Sequence, residues 1–319
     1  MFHPSLFDEP PAFDRDGLAA KLQNLSRQGV WIGTSSWKYE GWLGQIYTRE
    51  RYLTRGRFSR KLFEESCIQE YAEVFPIVGG DFSFYQFPSE AFWKRLFTTA
   101  PPRLLFALKV PEEITVKIWP MRPRYGVRAG RPNEVFLNAQ IFEGAFVRPL
   151  LPWRDRIAVL IFEFGTFPAG TYGDVADFLA ELDPFLAVLP AGFRYSVEIR
   201  NPEFLVREYL DCLRKHNVAH VFNAWTRMPE IPSQLAVPGV FTADFTVARA
   251  LLKQGRPYAQ AVELFSPYSE LREENPSARQ GLKALTRRAL KERSPTFLFV
   301  NNRLEGNSPM TIEGIIGEF

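Results

Sequence analysis

Short apolar runs alternate along most of the chain with longer segments in which apolar residues recur at helical spacing. Eight of these runs are typical of β-strands, at about 30–34, 77–84, 104–109, 157–163, 194–199, 218–222, 240–249 and 296–300. Helices are predicted at 58–75, from 88, at 133–146, 173–187, 203–215 and 277–292, and from 308. Only loop is predicted between the sixth and seventh strands. This order predicts right-handed βαβ units that close into an α/β, TIM-type (β/α) barrel, irregular around strands 6–7.

Residues 1–29 differ in pattern from the rest of the chain. A polar leader is followed by a short amphipathic helix with Leu18, Leu22 and Leu25 on one face, and Asp16 is predicted to cap its N-terminus. No low-complexity linker or internal repeat divides the remainder. We therefore expect an N-terminal helical extension over 1–29, covering one end of the core, and a single barrel domain over 30–319.

The composition of the chain indicates where the protein is located in the cell and which kinds of metal or cofactor chemistry to expect. The chain has 319 residues, 46% of them hydrophobic, but no apolar run reaches the ~18 residues that cross a bilayer. The first residues lack the basic and apolar segments of a secretion signal. Cys67 and Cys212 have no metal-ligand spacing, which favours reduced thiols and a cytoplasmic protein. His3, His216 and His220 do not follow strands, so a histidine-based zinc or iron centre is not expected and no cofactor is predicted.

Polar side chains stand where the apolar strands end. Lys109 ends the third strand, Glu163 the fourth and Glu198 the fifth, and Arg200 follows two residues after Glu198. The carboxyl ends of the strands of a parallel barrel meet at one face, and that face carries the active site in barrel enzymes. We therefore predict a site there, with Glu198, Glu163 and Lys109 as the catalytic candidates and Arg200 as a substrate-binding one.

Two carboxylates at the ends of neighbouring strands could approach each other closely. Each would then raise the other's pKa, so that Glu163 and Glu198 could divide the roles of general acid and general base. They could also hold a hard cation such as magnesium. Lys109 could bind an anion, form a Schiff base or pair with a glutamate. Arg200 shares a strand face with Glu198, so the two could point into the site or form a structural ion pair.

Four further residues are candidates for binding substrate. Asn301 and Asn302 follow the eighth strand, and alternation would turn one amide into the site and leave the other to stabilise a turn. Trp37 and Tyr85 follow the first two strands and could form an aromatic wall for a flat ligand, or could fill the core. Gly306 precedes the last helix, whose N-terminus, capped by Ser308 and Pro309, could hold a phosphate.

The net charge is only +3, but the basic residues are unevenly placed. One group, in 49–61, comprises Arg49, Arg51, Arg55, Arg57, Arg60 and Lys61; the other, in 117–131, comprises Lys117, Arg122, Arg124, Arg128 and Arg131. Such groups are common in solvated loops. They could also form a rim that attracts an anionic ligand.

Several short motifs resemble one known family, the YecE-like proteins of domain-of-unknown-function family 72. They are IGTSSWKY at 32–39, FYQFPS at 84–89, FALKVP at 106–111, VEIR at 197–200, FVNN at 299–302 and GNSP at 306–309. Together they cover about residues 30–315 in the family's order. The resemblance implies a TIM-type barrel, in agreement with the pattern of elements, and supplies no activity.

The chain departs from the family's usual motifs at three places. Gly79 stands where relatives usually have glutamate, in a segment that ends at Asp81. Glu163 stands where glutamine is usual, which would restore a carboxylate to the site. Val116 replaces a common histidine, which further reduces the case for imidazole or metal chemistry. Asp81 is counted among the substrate-binding candidates.

Two functions from different classes are consistent with these features. The first is an enzyme that acts by acid–base chemistry at the C-terminal face of the barrel, as a hydrolase, a lyase or an isomerase. Its substrate would be a small anion that is phosphorylated, sugar-like or nucleotide-like. The alternative is a non-catalytic nucleic-acid-binding protein that uses the loops 49–61 and 117–131. A small-molecule sensor has no sequence feature in its favour, and no membrane partner is expected. The fold alone does not decide, because this architecture hosts many reactions.

Overall fold

The computed structural model describes residues 13–319, which form a closed barrel of eight parallel strands surrounded by helices. The strands are β1 Val30–Thr34, β2 Ile77–Gly80, β3 Leu105–Lys109, β4 Ile157–Phe164, β5 Tyr195–Ile199, β6 Ala219–Ala224, β7 Thr246–Ala250 and β8 Thr296–Val300. Each strand pairs with its neighbours in chain order, and β1 closes the barrel against β8. The predicted TIM-type barrel is therefore confirmed.

The longer helices pack around the outside of the barrel. They are α1 Arg15–Arg27, α2 Arg60–Val74, α3 Glu90–Thr99, α4 Val175–Ala187, α5 Arg207–Lys215, α6 Tyr258–Phe265, α7 Pro276–Glu292 and α8 Ser308–Ile316. Shorter helical segments lie at Glu112–Thr115, Ala139–Ile141, Phe142–Val147, Arg148–Leu150, Ile231–Leu235 and Asn302–Glu305. Within residues 13–319, no helix is long and apolar enough to cross a membrane.

Several element boundaries differ from the sequence prediction. The second strand ends at Gly80 rather than at 84, because the chain turns there, with the Phe84 amide donating to the Asp81 carbonyl. The seventh strand begins at Thr246 rather than at 240, and the helical segment expected from 133 begins at Ala139. A five-residue helix, Ile231–Leu235, lies between β6 and β7, where only loop was predicted, and α6 was also missed.

Alternation along the strands fills the interior of the barrel with apolar side chains. The buried cluster inside it includes Ile77 of β2, Ala107 of β3, Ile161 of β4, Val247 of β7 and Phe299 of β8. Because side chains alternate between the two faces of a strand, the inward-facing position two residues further along each strand lies at the carboxyl-end face. On β3, β4 and β7 those positions carry Lys109, Glu163 and Arg249, three charged residues of the candidate site.

The N-terminal helix α1 packs on the barrel through the predicted face, with Leu18, Leu22 and Leu25 all buried. Its N-cap is Asp14 and not Asp16, since an Asp14 carboxylate oxygen accepts from the Gly17 amide at 2.9 Å. The polar leader before it, including His3, lies outside the described residues.

Candidate functional site

Six charged side chains from the carboxyl ends of five strands form one connected network. Three are acidic and three are basic, so their charges sum to zero. The members are Asp81 after β2, Lys109 in β3, Glu163 in β4, Glu198 in and Arg200 after β5, and Arg249 in β7. Glu163 and Glu198 are register partners on adjacent strands, which places the two carboxylates side by side as the sequence predicted.

Glu163 lies at the centre of the network. Its Oε2 atom accepts a hydrogen bond from Arg249 Nη1 at 2.7 Å and forms ion pairs with Lys109 Nζ at 2.9 Å and Arg200 Nη2 at 2.8 Å. Burial opposes ionisation of this carboxyl, but the three cations outweigh it and hold the pKa of Glu163 well below its usual range. The expectation that the two carboxylates raise each other's pKa is therefore wrong for Glu163, because the cations nearby dominate.

Glu198 bridges two of the same cations. Its Oε1 accepts from Arg200 Nε at 3.2 Å and Nη2 at 3.1 Å, and its Oε2 accepts from Arg249 Nη1. The Glu198 side chain has no exposed surface. Arg200 and Glu198 are thus an ion pair and, at the same time, members of the site, so the two alternatives left open by the sequence coexist.

Arg249 is the member that sequence reasoning missed. It donates to Asp81 Oδ1 at 3.2 Å as well as to Glu163 and Glu198. Burial lowers the pKa of the Arg249 guanidinium, but the three carboxylates more than offset this and raise it above its ordinary value. The available signal was an arginine inside an apolar strand of a barrel, because a charge buried on such a strand needs partners.

The edge of the network is less buried than its centre. The Asp81 side chain is 36% exposed, against 5% for Glu163 and 13% for Arg200. Lys109 Nζ lies 3.7 Å from Asp81 Oδ1 and 3.7 Å from the centroid of the Phe84 ring. The Arg200 guanidinium lies 3.7 Å from the Trp225 ring centroid. A ligand at the barrel mouth would therefore meet Asp81 first, with Arg200 and Lys109 beneath it.

Magnesium does not suit this arrangement. The Oε2 atom of Glu163 and both carboxylate oxygens of Glu198 already contact Lys109, Arg200 or Arg249. A divalent cation would have to displace these cations or add its charge to theirs. In residues 13–319, no group of three or more histidine, cysteine, aspartate or glutamate side chains is arranged to hold a metal ion.

The two aromatic candidates lie in different surroundings. Trp37 is buried and meets Phe82 edge-to-face, with ring centroids 5.8 Å apart. It lines a cleft that also reaches Asp81. Tyr85 is 56% exposed, and its ring packs beneath the Arg124 guanidinium at 4.7 Å. Trp37 is therefore close to the network, whereas Tyr85 lies on the surface of the following loop.

The amides after β8 make local contacts. Asn301 Oδ1 accepts from the Arg303 amide and caps the short helix that follows. Asn302 Oδ1 accepts from the Ser308 amide at 2.7 Å and from Trp42 Nε1 at 3.3 Å. Neither side chain hydrogen-bonds to the charged network.

The expected phosphate position at the start of α8 is filled by protein groups. The N-cap of this helix is Asn307, one residue before the predicted cap, and its side chain accepts from the Met310 amide. The Ser308 amide donates to Asn302. These amides are the donors that a phosphate would need.

Ion pairs reduce the free charge of the two basic segments. In 49–61, Arg51 pairs with Glu73 at 2.8 Å and Arg60 with Glu64 at 2.9 Å. In 117–131, the paired residues are Lys117 with Glu181, Arg124 with Glu112 and Arg128 with Glu113. The segments therefore present less positive charge to a polyanion than their composition suggests.

The fold and the network define the class of protein: a TIM-type barrel with interlocked acidic and basic side chains at the carboxyl ends of its strands. The chain matches the model of the family described as "Protein of unknown function DUF72" over residues 31–318, and it belongs to that family. The resemblance noted from the motifs is thus confirmed. None of the curated proteins compared with the chain matches it.

Two solved structures of the same family are similar to the barrel. A DUF72 family protein from Thermotoga maritima MSB8 shares 19% identity and superposes with a TM-score of 0.59, over 90% of this chain and 97% of that one. A DUF72 family protein from Enterococcus faecalis V583 shares 14% identity with a TM-score of 0.56, over 91% of this chain and 96% of that one. At these identities the likeness concerns the fold.

Proposed function

We propose that this protein is an enzyme that binds a small anionic substrate over the carboxyl-end face of the barrel and moves a proton through Asp81. The observation that carries the proposal is the gradient of exposure within one neutral network. Asp81 is 36% exposed at its edge, whereas Glu163 and Glu198 are buried beneath it. Carboxylates and cations interlocked at a barrel mouth suit a reaction in which charge develops on a bound substrate.

Each part of the network has its own role in this proposal. Glu163 and Glu198 fix the direction of the cations, because each forms ion pairs with Arg200 and Arg249. Arg200 and Lys109 face the substrate and neutralise a phosphate or carboxylate group on it. Asp81 accepts or returns the proton as a general base and acid. The reaction is then a hydrolysis, an elimination or an isomerisation of a phosphorylated, sugar-like or nucleotide-like molecule.

We assign the general-base role to Asp81, and not to Glu198 as the sequence predicted, because Glu198 is not accessible to a substrate. A general base must come within hydrogen-bond reach of the proton that it removes. Glu198 has no exposed side-chain surface, and both of its oxygens accept from arginines. It acts instead as a positioning residue for Arg200 and Arg249.

The test begins with a panel of sugar phosphates, nucleotides and other phosphate esters, scored for turnover and for binding by calorimetry. On a substrate so found, Asp81→Asn should lower kcat by about 10²–10⁴-fold, the usual contribution of general acid–base catalysis. Lys109→Met should weaken binding instead. Asp183→Asn is the matched control, because Asp183 is 37% exposed and also contacts two basic side chains, Lys215 and His216. Unchanged turnover in Asp81→Asn would contradict the proposal.

A further inference from the structure

A cleft of about 670 Å³ lies outside the barrel wall, between α2 and α3 and beside the carboxyl ends of β1 and β2. Ser36 and Trp37 line it after β1, and Gly79 of β2 and Asp81 after β2 line it as well. The volume falls within the range of about 300–1,000 Å³ that is typical of small-molecule sites. Because Asp81 belongs to both, the cleft is continuous with the charged network.

The cleft exists because β1 and β2 separate early. They pair only at Thr34 and Val78, whereas β1 follows β8 in register along all five of its residues.

Aromatic and aliphatic side chains form the walls of the cleft. Trp37 and Phe82 meet edge-to-face at 5.8 Å, and Phe82 and Phe92 lie 5.4 Å apart in a tilted pair. Ile68 and Leu96 complete the apolar lining from the helices. Rings fixed against one another in this way suit a flat or apolar ligand.

The outer rim carries more free positive charge than negative charge. Lys38, Lys61 and Arg95 line the cleft and are exposed, and none of them forms an ion pair within residues 13–319. Of the two acids on the rim, Glu64 pairs with Arg60 at 2.9 Å, which leaves Glu65. Three free cations against one free carboxylate favour an anionic group at this end.

We infer that the cleft binds a flat organic anion. Its body packs on Trp37 and Phe82, its anionic group contacts Lys61 and Arg95 at the outer rim, and its inner end reaches Asp81. The substrate class rests on the function proposed above, but the claim that this cleft binds flat anions is independent of catalysis and can be tested by itself.

Anilinonaphthalene sulfonate is the probe, because it is a flat aromatic anion whose fluorescence rises on binding. Titration of the full chain should show one site. Lys61→Met combined with Arg95→Met should weaken this binding by about tenfold or more, because two charge contacts are lost. Leu96→Trp should block it by filling the cleft. Both variants should retain the melting temperature of the unaltered protein within a few degrees.

The control carries Arg207→Met and Lys215→Met on α5, which removes two exposed cations away from the cleft. It should bind the probe as tightly as the unaltered chain does. The inference is overturned if the unaltered chain binds no probe, or if both cleft variants bind it unchanged. Asp81→Asn separates the two proposals. If this variant retains turnover and the unaltered chain binds the probe, Asp81 has no catalytic role but the cleft is a binding site. If the variant loses turnover and the unaltered chain binds no probe, the catalytic role stands and the cleft is not a binding site.

Discussion

Replacing Glu163 by glutamine tests whether its carboxylate holds the network together. The change leaves Lys109, Arg200 and Arg249 facing only two carboxylates, so the buried network goes from a net charge of zero to +1. The Glu163 side chain is 5% exposed and that of Arg249 4%, so water cannot replace the lost contacts. Removing one partner from a buried ion pair costs about 3–5 kcal/mol in the free energy of unfolding.

We expect Glu163→Gln to lower the free energy of unfolding by an amount in the lower part of that range. The glutamine amide retains an oxygen that accepts from one of the three donors. Arg200 keeps its contacts with Glu198 at 3.1–3.2 Å, and Lys109 keeps Asp81 at 3.7 Å. At about 2 °C per kcal/mol for a chain of this size, the melting temperature should fall by about 6–8 °C. Urea denaturation at pH 7 gives the free energy directly.

The pH dependence of this loss has a definite sign. The pKa of Glu163 is lowered in the folded protein, so its contribution is fully present above the unfolded value of about 4.3 and declines as the pH falls further. The stability difference between the unaltered chain and Glu163→Gln should therefore be constant above about pH 5.5 and shrink below about pH 4.

The matched control is Glu273→Gln. Glu273 also contacts two cations, Lys253 and Arg256, each at 2.6 Å, but its side chain is 37% exposed. An exposed pair of this kind contributes only about 0–1 kcal/mol. The reasoning is refuted if Glu163→Gln costs no more than Glu273→Gln, or if its effect does not change on acidification.

Two further predictions concern buried groups away from the site. Burial lowers the pKa of His220 to about 4. Below about pH 6.5 this imidazole is therefore protonated in the unfolded chain but stays neutral in the folded chain. Urea titrations should show stability falling between about pH 6.5 and 4 more steeply in the unaltered chain than in His220→Gln, and parallel curves would contradict this. Burial also raises the pKa of the Cys67 thiol to about 12 and that of Cys212 to about 11. A chromogenic disulfide reagent at pH 8 should therefore react slowly with the native protein and rapidly in urea, and fast native reaction would show that the thiols are accessible.

The position of the site could be predicted from the sequence because it follows from local patterns. Several of the apolar runs end in polar residues, and parallel strands place those ends on one face. Lys109, Glu163 and Glu198 were located correctly by this argument, and the register pairing of Glu163 with Glu198 is what neighbouring strands should give. The helices α2 and α7 were found within two residues at each end, since their apolar stripes are long.

The electrostatics could not be predicted in the same way. Whether two adjacent carboxylates repel or are held ionised depends on cations brought from other strands. Arg249 lies 86 residues after Glu163 in the chain, on a strand that does not pair with β4. The sequence shows that an arginine stands in a predicted apolar strand, but not which carboxylates it contacts. The direction of the Glu163 pKa shift was therefore set by tertiary structure alone.

Stability alone gives little reason for a barrel to gather six charges at its mouth and to bury most of the surface of five of them. Replacing a buried ion pair by apolar side chains of similar volume is often neutral or stabilising, because the desolvation of the charges is so costly. What such a network provides is orientation: Glu163 and Glu198 fix Arg200 and Arg249 from both sides, and Arg249 fixes Asp81 at 3.2 Å. On the proposed function, that rigidity holds the exposed carboxylate and the anion-binding cations in place before the substrate arrives, so binding need not reorganise them.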